Sequence, residues 1–290
     1  MSLDPFAPLS PAQRAQLLSA YDLHLQQRNG DVDLANLRSP TRDAFFDSVR
    51  AQRQALSTRG DQARFAAHQG PGKLGDEQDP RTLWAICTAN INLAEAYGVQ
   101  RVIDAYVARP SHTATDRAYD TILVEEAYHT RMLCEAVSAA GLTMQVFRPQ
   151  SWLRAVVDLL TSLPTPAKDF MTFMSEMCGI AGFRLLLGKA RTLFADEPAA
   201  LAVIERVYGE ILLDELGHVH FLHARLSRPA LWLAKHLTPL VMSSYLRGLP
   251  ELVRLFGRDT IDAELRRVMS GEALAQVSGE AHPVEAALAA

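Results

Sequence analysis

Two stretches of this chain repeat one arrangement of acids and imidazoles. Glu125-Glu126-Ala127-Tyr128-His129 follows a lone Glu95, and Asp214-Glu215-Leu216-Gly217-His218 follows a lone Glu176. In each copy a His stands three residues after the second member of an acidic pair. On an α-helix, positions i and i+3 share a face, about 4.5 Å apart along the axis. Glu126 and His129 therefore reach one point beside their helix, and Glu215 and His218 reach one beside theirs. A lone Glu from each antiparallel partner, Glu95 and Glu176, completes a ring of four carboxylates and two imidazoles. Such acids repel one another in an apolar interior unless something neutralises them. Two divalent ions do so: carboxylates bridge metals, a neutral imidazole caps each ion, and the donor set suits iron or manganese. This is the chemistry of a carboxylate-bridged dimetal site inside a four-helix bundle.

With 15 Glu and 9 His in the chain, roughly half a Glu-x-x-His match is expected by chance from composition. A single match carries nothing. Two matches, each behind an acidic residue and each with a helical Glu one helix upstream, carry much more. Their neighbours are apolar: Ile91 and Val99 on the side of Glu95, Ile122 and Leu133 near Glu126 and His129, Phe173, Ile180 and Phe183 near Glu176, Leu212 and Phe221 near the second pair. Carboxylates in such company need a reason to be there. Asp214 and Glu125 are turned about 100° from the ligand positions. They are expected to accept hydrogen bonds from the outer ring nitrogens of His129 and His218 respectively, or to pair with a nearby arginine. Gly179 and Gly182 lie inside the Glu176 helix, where glycine costs about 1 kcal/mol relative to Ala. Close helix packing or room for substrate accounts for them.

The elements that must position these residues read as helices nearly throughout. The periodicity predicts helices at about 11–28, 41–57, 80–109, 116–140, 150–163, 167–194, 198–226, 229–248 and 260–270. Asp79-Pro80, Thr115-Asp116 and Asp196-Glu197-Pro198 supply caps or first-turn prolines. The expected fold class is all-α: a four-helix core of 80–109, 116–140, 167–194 and 198–226, with a short loop at Arg109–Thr115 and a crossover containing 150–163. The whole of 1–290 is read as a single domain, with its metal-bearing core at about 80–226 and flanking helices in 1–79 and 227–290. Gly70-Pro71-Gly72-Lys73-Leu74-Gly75 lacks the spacing and the Ser or Thr of a phosphate loop and reads as a surface loop. The last ten residues read as a frayed tail.

Composition narrows the class. The chain has 290 residues, 48% hydrophobic and 21% charged, with a net charge of −4. That is globular, not disordered, and has no basic excess for nucleic acid or anionic membranes. No charge-free apolar run reaches the ~18 residues of a membrane helix. Pro229–Leu246, the nearest, is interrupted by Lys235 and His236. No signal peptide is apparent. Cys87, Cys134 and Cys178, with no CxxC, read as small hydrophobes in a reducing cytoplasm. His24, His68, His112, His236 and His282 read as surface residues. His220 and His223 lie off the metal-facing seam. Arg184, about two turns beyond Glu176, is a candidate anchor for an anionic substrate.

The doubled acid-Glu-x-x-His pattern resembles the signature of ferritin-like di-iron oxygenases, and most resembles the p-aminobenzoate N-oxygenase family, over about residues 80–226. The resemblance implies that Glu95, Glu126, His129, Glu176, Glu215 and His218 are the ligands of two iron ions. It also implies that O2 is a co-substrate and that a small organic substrate is oxidised, an amine nitrogen being the favoured target. That chemistry often belongs to natural-product biosynthesis. No flavin, nicotinamide or iron–sulfur motif is visible, so electrons are expected from an external donor or reductase. A homodimer is compatible with this reading. The N-oxygenases carry a third histidine one turn before the second Glu-x-x-His, where this chain has Ile211. Glu210, beside it, reaches the metals only from a distorted turn. Ribonucleotide reductase small subunits place a radical tyrosine where this chain has Leu133, and Tyr128 projects away from the seam. Desaturases share the motif. A hydroxylase or desaturase acting at carbon, or a non-catalytic ferritin-like metal protein, therefore stands as the alternative.

Overall fold

Proline and capping side chains set most helix starts. In the computed structural model, which describes residues 4–56, 60–70, 72–75, 78–106 and 114–277, Ser10 and Gln13 form a capping box ahead of α1 (Pro11–Asn29). Ser39 caps α2 (Pro40–Gln54), and Asp61 caps α3 (Gln62–His68). Asp79 accepts from the amides of Arg81 and Thr82 to start α4 (Pro80–Ile91). After these come α5 (Leu93–Tyr106), α6 (Ala114–Ala139), α7 (Ser151–Ser162), α8 (Thr165–Leu193), α9 (Pro198–Arg225), α10 (Arg228–Arg247), α11 (Pro250–Phe256), α12 (Arg258–Met269) and α13 (Glu272–Val277). Among the described residues all regular structure is helical, apart from one isolated bridge between Asp33 and Arg38.

Several expectations need correction. The helix expected over 80–109 is two helices. Asn92 interrupts it, with its side-chain oxygen accepting from the Thr130 hydroxyl (2.7 Å) while the Tyr245 hydroxyl donates to the Ile91 carbonyl (2.8 Å). Side-chain groups entering a helical ladder are an ordinary cause of such breaks. The break falls three residues before Glu95. Glu197 does not cap α9; its carboxylate is taken by Arg81. The short helices α3, α11 and α13 were not expected. The connection at 107–113, the tail at 281–290, His112 and His282 lie outside the described residues.

The core explains how the site-bearing helices are held. α8 runs along α9, α6 along α9, α4 against α8 and α6, and α5 against α6. Trp84, Phe173, Phe183 and Tyr208 are fully buried among them. The Trp84 indole donates to the Leu186 carbonyl (2.9 Å) and meets Phe194 edge-on at 5.3 Å. Aromatic side chains of this size remove about 150–250 Å² each from water. α7 packs on α5, where Asp158 accepts from Arg101 (2.8 Å) and Tyr97 (3.1 Å). α1 and α2 lie across α6 and α9. α8 meets the length and composition of a membrane-crossing helix, unlike the expected nearest candidate in 229–246, yet 61% of that window is buried inside the fold.

Candidate metal centre

The six predicted ligands arrive on four helices. α5 supplies Glu95, α6 supplies Glu126 and His129, α8 supplies Glu176, and α9 supplies Glu215 and His218. They form two overlapping groups. Glu95, Glu126, His129 and Glu215 make the first and Glu126, Glu176 and His218 the second, with the donor atoms of each within 4.8 Å of one another. His129 Nδ1 lies 3.2 Å from Glu95 Oε1, 3.4 Å from Glu126 Oε2 and 3.5 Å from Glu215 Oε1. His218 Nδ1 lies 3.0 Å from Glu126 Oε1 and 3.3 Å from Glu176 Oε2. Glu126 thus puts one oxygen toward each histidine, and the two rings stand 6.1 Å apart. Both histidines are fully buried, whereas the Glu95 side chain is 21% exposed.

The donor atoms pass a simple test for a missing cation. Glu95 Oε1, Glu126 Oε1, His129 Nδ1 and Glu215 Oε2 are all buried without a well-formed hydrogen bond. Buried polar atoms are nearly always satisfied, and four such orphans converging on one spot could hold an ion. Glu and imidazole donors at this spacing can hold one. In the metal-free protein, protons take over part of that task. Burial, then the neighbouring Glu126, pushes Glu95 up to about 8. Burial, then Glu176 and Glu126, pushes Glu215 well above the carboxylate range. Burial alone would lower His129, yet Glu126, Asp214 and Glu95 hold it well above the usual imidazole range. His218 is raised in the same way by Tyr21, Glu125, Glu126 and Glu176. Glu126, between the two imidazoles, stays ionised in spite of its burial.

The outer ring nitrogens meet the two residues expected there. His129 Nε2 lies 3.2 Å from Asp214 Oδ2, and His218 Nε2 lies 3.0 Å from Glu125 Oε2. Carboxylates only accept, so each Nε2 carries a hydrogen and each Nδ1 is turned to the cluster. The arginine expected as an alternative partner for these acids is present as well. Asp214 also accepts from Arg42 and Arg28, and Glu125 also accepts from Arg42. Burial would raise Asp214, but Arg42, Arg28 and His129 keep it well below the usual range.

Arg28, Asn29 and Arg42 escaped the sequence reading. They stand in no motif and reach the site only through folding. Other expectations are corrected. His24, expected on the surface, is buried, and His220 and His223 are buried off the seam. A ring N–H of His223 donates to the Ala7 carbonyl (2.7 Å), and burial lowers its pKa to about 4. Arg184 is held by Glu264 (2.5 Å) and Gln276 (2.9 Å), which removes it as a free anion anchor. Glu210 pairs with Arg28 (2.5 Å), and its side chain is 25% exposed. Ile211 is fully buried. Tyr128 turns to α2, where its hydroxyl donates to Asp43 and accepts from the Ser39 amide (3.2 Å).

The two helical glycines are packing positions. A Cβ at Gly182 would stand 2.3 Å from Ile91 Cδ1, and one at Gly179 would stand 2.8 Å from Glu215 Oε2. Gly179→Ala is expected to keep or slightly raise the melting temperature of the metal-free protein, since Ala favours the helix by about 1 kcal/mol. It is also expected to displace the Glu215 carboxylate and weaken metal binding by about tenfold or more, the scale for disturbing a ligand's support. Paired thermal melts and metal titrations check this. Unchanged affinity would show that Glu215 moves aside freely.

The chain matches no family model, no curated protein and no solved structure.

Proposed function

We propose that the chain is an O2-dependent non-haem di-iron oxygenase on a ferritin-like four-helix bundle, oxidising a small organic substrate, with an amine nitrogen as the favoured site. The observation that carries the reading is the pair of facing Glu/His groups sharing Glu126, with four buried donor atoms left without hydrogen bonds. Glu95, Glu126 and His129 would hold one ion and Glu126, Glu176 and His218 the other, with Glu215 reaching between His129 and Glu176. Bound iron would supply the two-electron reduction of O2 and the oxidising power delivered to the substrate.

This chain's own residues do the rest. Asp214 and Glu125 hold the Nε2–H form of each histidine, so that Nδ1 presents its lone pair. The burial of Glu215 and both histidines excludes water from that side of the cluster. The partly exposed edge at Glu95 offers the route by which substrate and O2 approach. Manganese fits the same donors, and electrons would come from an external donor or reductase.

The test is ferrous reconstitution without air, iron analysis, and O2 uptake with an amine panel and a chemical or enzymatic reductant. The reading expects about two irons per chain, the occupancy of a dimetal site, and oxidised nitrogen in the product. Oxidation at carbon would shift it to the hydroxylase or desaturase alternative. Bound iron without O2 consumption under any donor would remove the oxygenase, and many irons per chain would indicate storage.

A further inference from the structure

Each outer acid faces a histidine with one oxygen and the α1–α2 corner with the rest of its carboxylate. Arg42, in the first turn of α2, is fully buried. Its Nη2 donates to Glu125 Oε1 (2.6 Å) and to Asp214 Oδ1 (2.6 Å), and its Nη1 donates to Asp214 Oδ2 (2.9 Å). Its Nε donates to Asn29 Oδ1 (2.8 Å), and Asn29 Nδ2 donates to Glu125 Oε1 (2.8 Å). Arg28 reaches Asp214 Oδ1 (2.9 Å) but makes no bond with Glu125. The corner itself is pinned. Ser39 Oγ donates to the Asn29 carbonyl (2.6 Å) and accepts from the Arg42 amide (3.2 Å).

We infer that Arg42 is a positioning residue shared by both halves of the metal centre, and that the α1–α2 corner is part of that centre although it lies outside the helices that carry the ligands. The inference rests on the metal reading of the cluster. Two buried carboxylates side by side repel, and without a cation between them each would tend to swing away from the histidine it faces. An acid turned away no longer accepts from its histidine, and the ring it holds loses its fixed orientation. One planar guanidinium between the two acids offsets their repulsion and fixes the oxygens that face His129 and His218. Arg28 acts on one half, through Asp214 on His129, whereas Asn29 bonds both Glu125 and Arg42 and so supports the shared fork itself.

This wiring makes an unusual demand on mutants. Arg42→Met is expected to weaken both ions together, each by about 10–100-fold, the scale found when a partner of a ligating histidine is lost. Arg28→Met is expected to weaken mainly the ion on His129. Arg42→Lys, which keeps the charge but not the fork, should recover part of the loss. The experiment is anaerobic ferrous titration of the full chain by calorimetry, with circular dichroism of each metal-free variant. Paired backgrounds assign the halves, because Arg28→Met still acts in His218→Ala and no longer does so in His129→Ala.

A general structural role would weaken both ions alike in every variant, so the half-specific pattern is the deciding readout. Arg42→Met with both affinities unchanged, or with only one changed, overturns the inference. If Arg42→Met does not fold, Arg42→Lys decides. Partial loss at both ions, beside a loss confined to the His129 half in Arg28→Met, supports the wiring, and wild-type affinity at both ions in Arg42→Lys overturns it. A wild-type chain that binds no divalent ion would overturn the metal reading itself, a result visible before any variant is made.

Discussion

Replacing Glu126 by alanine is expected to abolish tight binding of both ions at once. Glu126 is the one residue common to both donor groups, with Oε1 3.0 Å from His218 Nδ1 and Oε2 3.4 Å from His129 Nδ1. Removing it deletes a ligand from each ion, so each affinity should fall by more than about 100-fold, beyond what losing an outer hydrogen bond costs. Glu176→Ala should instead strike mainly the His218 half and Glu95→Ala mainly the His129 half, since those carboxylates approach only one imidazole each. The metal-free protein also needs Glu126, because its ionised carboxylate sits between two protonated imidazoles. Glu126→Gln keeps the shape and serves as the control for folding. Iron per chain after gel filtration, with thermal melts alongside, reads the outcome. A Glu126→Ala protein that retains two irons would remove the bridging role.

The clustering of the six Glu and His residues was legible because each pair is local. An acid and a His three residues apart fall on one helical face whatever the rest of the chain does, and two such pairs need only their helices to meet. The Nε2 contacts of Asp214 and Glu125 follow from the same geometry, one residue around the helix. Arg42 was not legible. It lies 83 residues from Glu125 and 172 from Asp214 in sequence, and a lone arginine in a capped first turn resembles any solvated one. The break at Asn92 was hidden for a similar reason, since it depends on Thr130 and Tyr245 from two other helices. The helices α3, α11 and α13 span only one or two turns, too short for periodicity to register and dependent on neighbours for stability. His24 reads as a polar surface residue until α1 packs on α9.

Metal affinity should climb steeply with pH, and the thermal protection that metal confers should climb with it. Four groups that face the ions hold protons when the site is metal-free near neutrality. Glu95 is raised to about 8, Glu215 is raised well above the carboxylate range by burial and then by Glu176 and Glu126, and both histidines are raised well above the imidazole range. Each proton that an ion must displace makes the apparent affinity rise about tenfold per pH unit, so several displaced together give a steeper slope between pH 6 and 8. The stability of the metal-free protein runs the other way. A group whose folded pKa exceeds its unfolded one contributes stability that is full below the unfolded value and is lost as pH rises through the folded value. For Glu95 that loss runs from its ordinary 4.5 up to about 8, and for the histidines it begins at 6.5. Glu126, Glu125 and Asp214 are lowered, so their contribution is lost only as pH falls through their folded values in acid, below this window. Between pH 6 and 8 the metal-free form therefore weakens while the loaded form gains from tighter binding. Manganese avoids oxidation during the scan. Melts with excess manganese and with chelator at pH 6, 7 and 8 should show a gap that widens at each step. Titration in two buffers of different ionisation heat should show protons released. A gap that stays constant, or closes, would mean that the cluster does not exchange protons for metal.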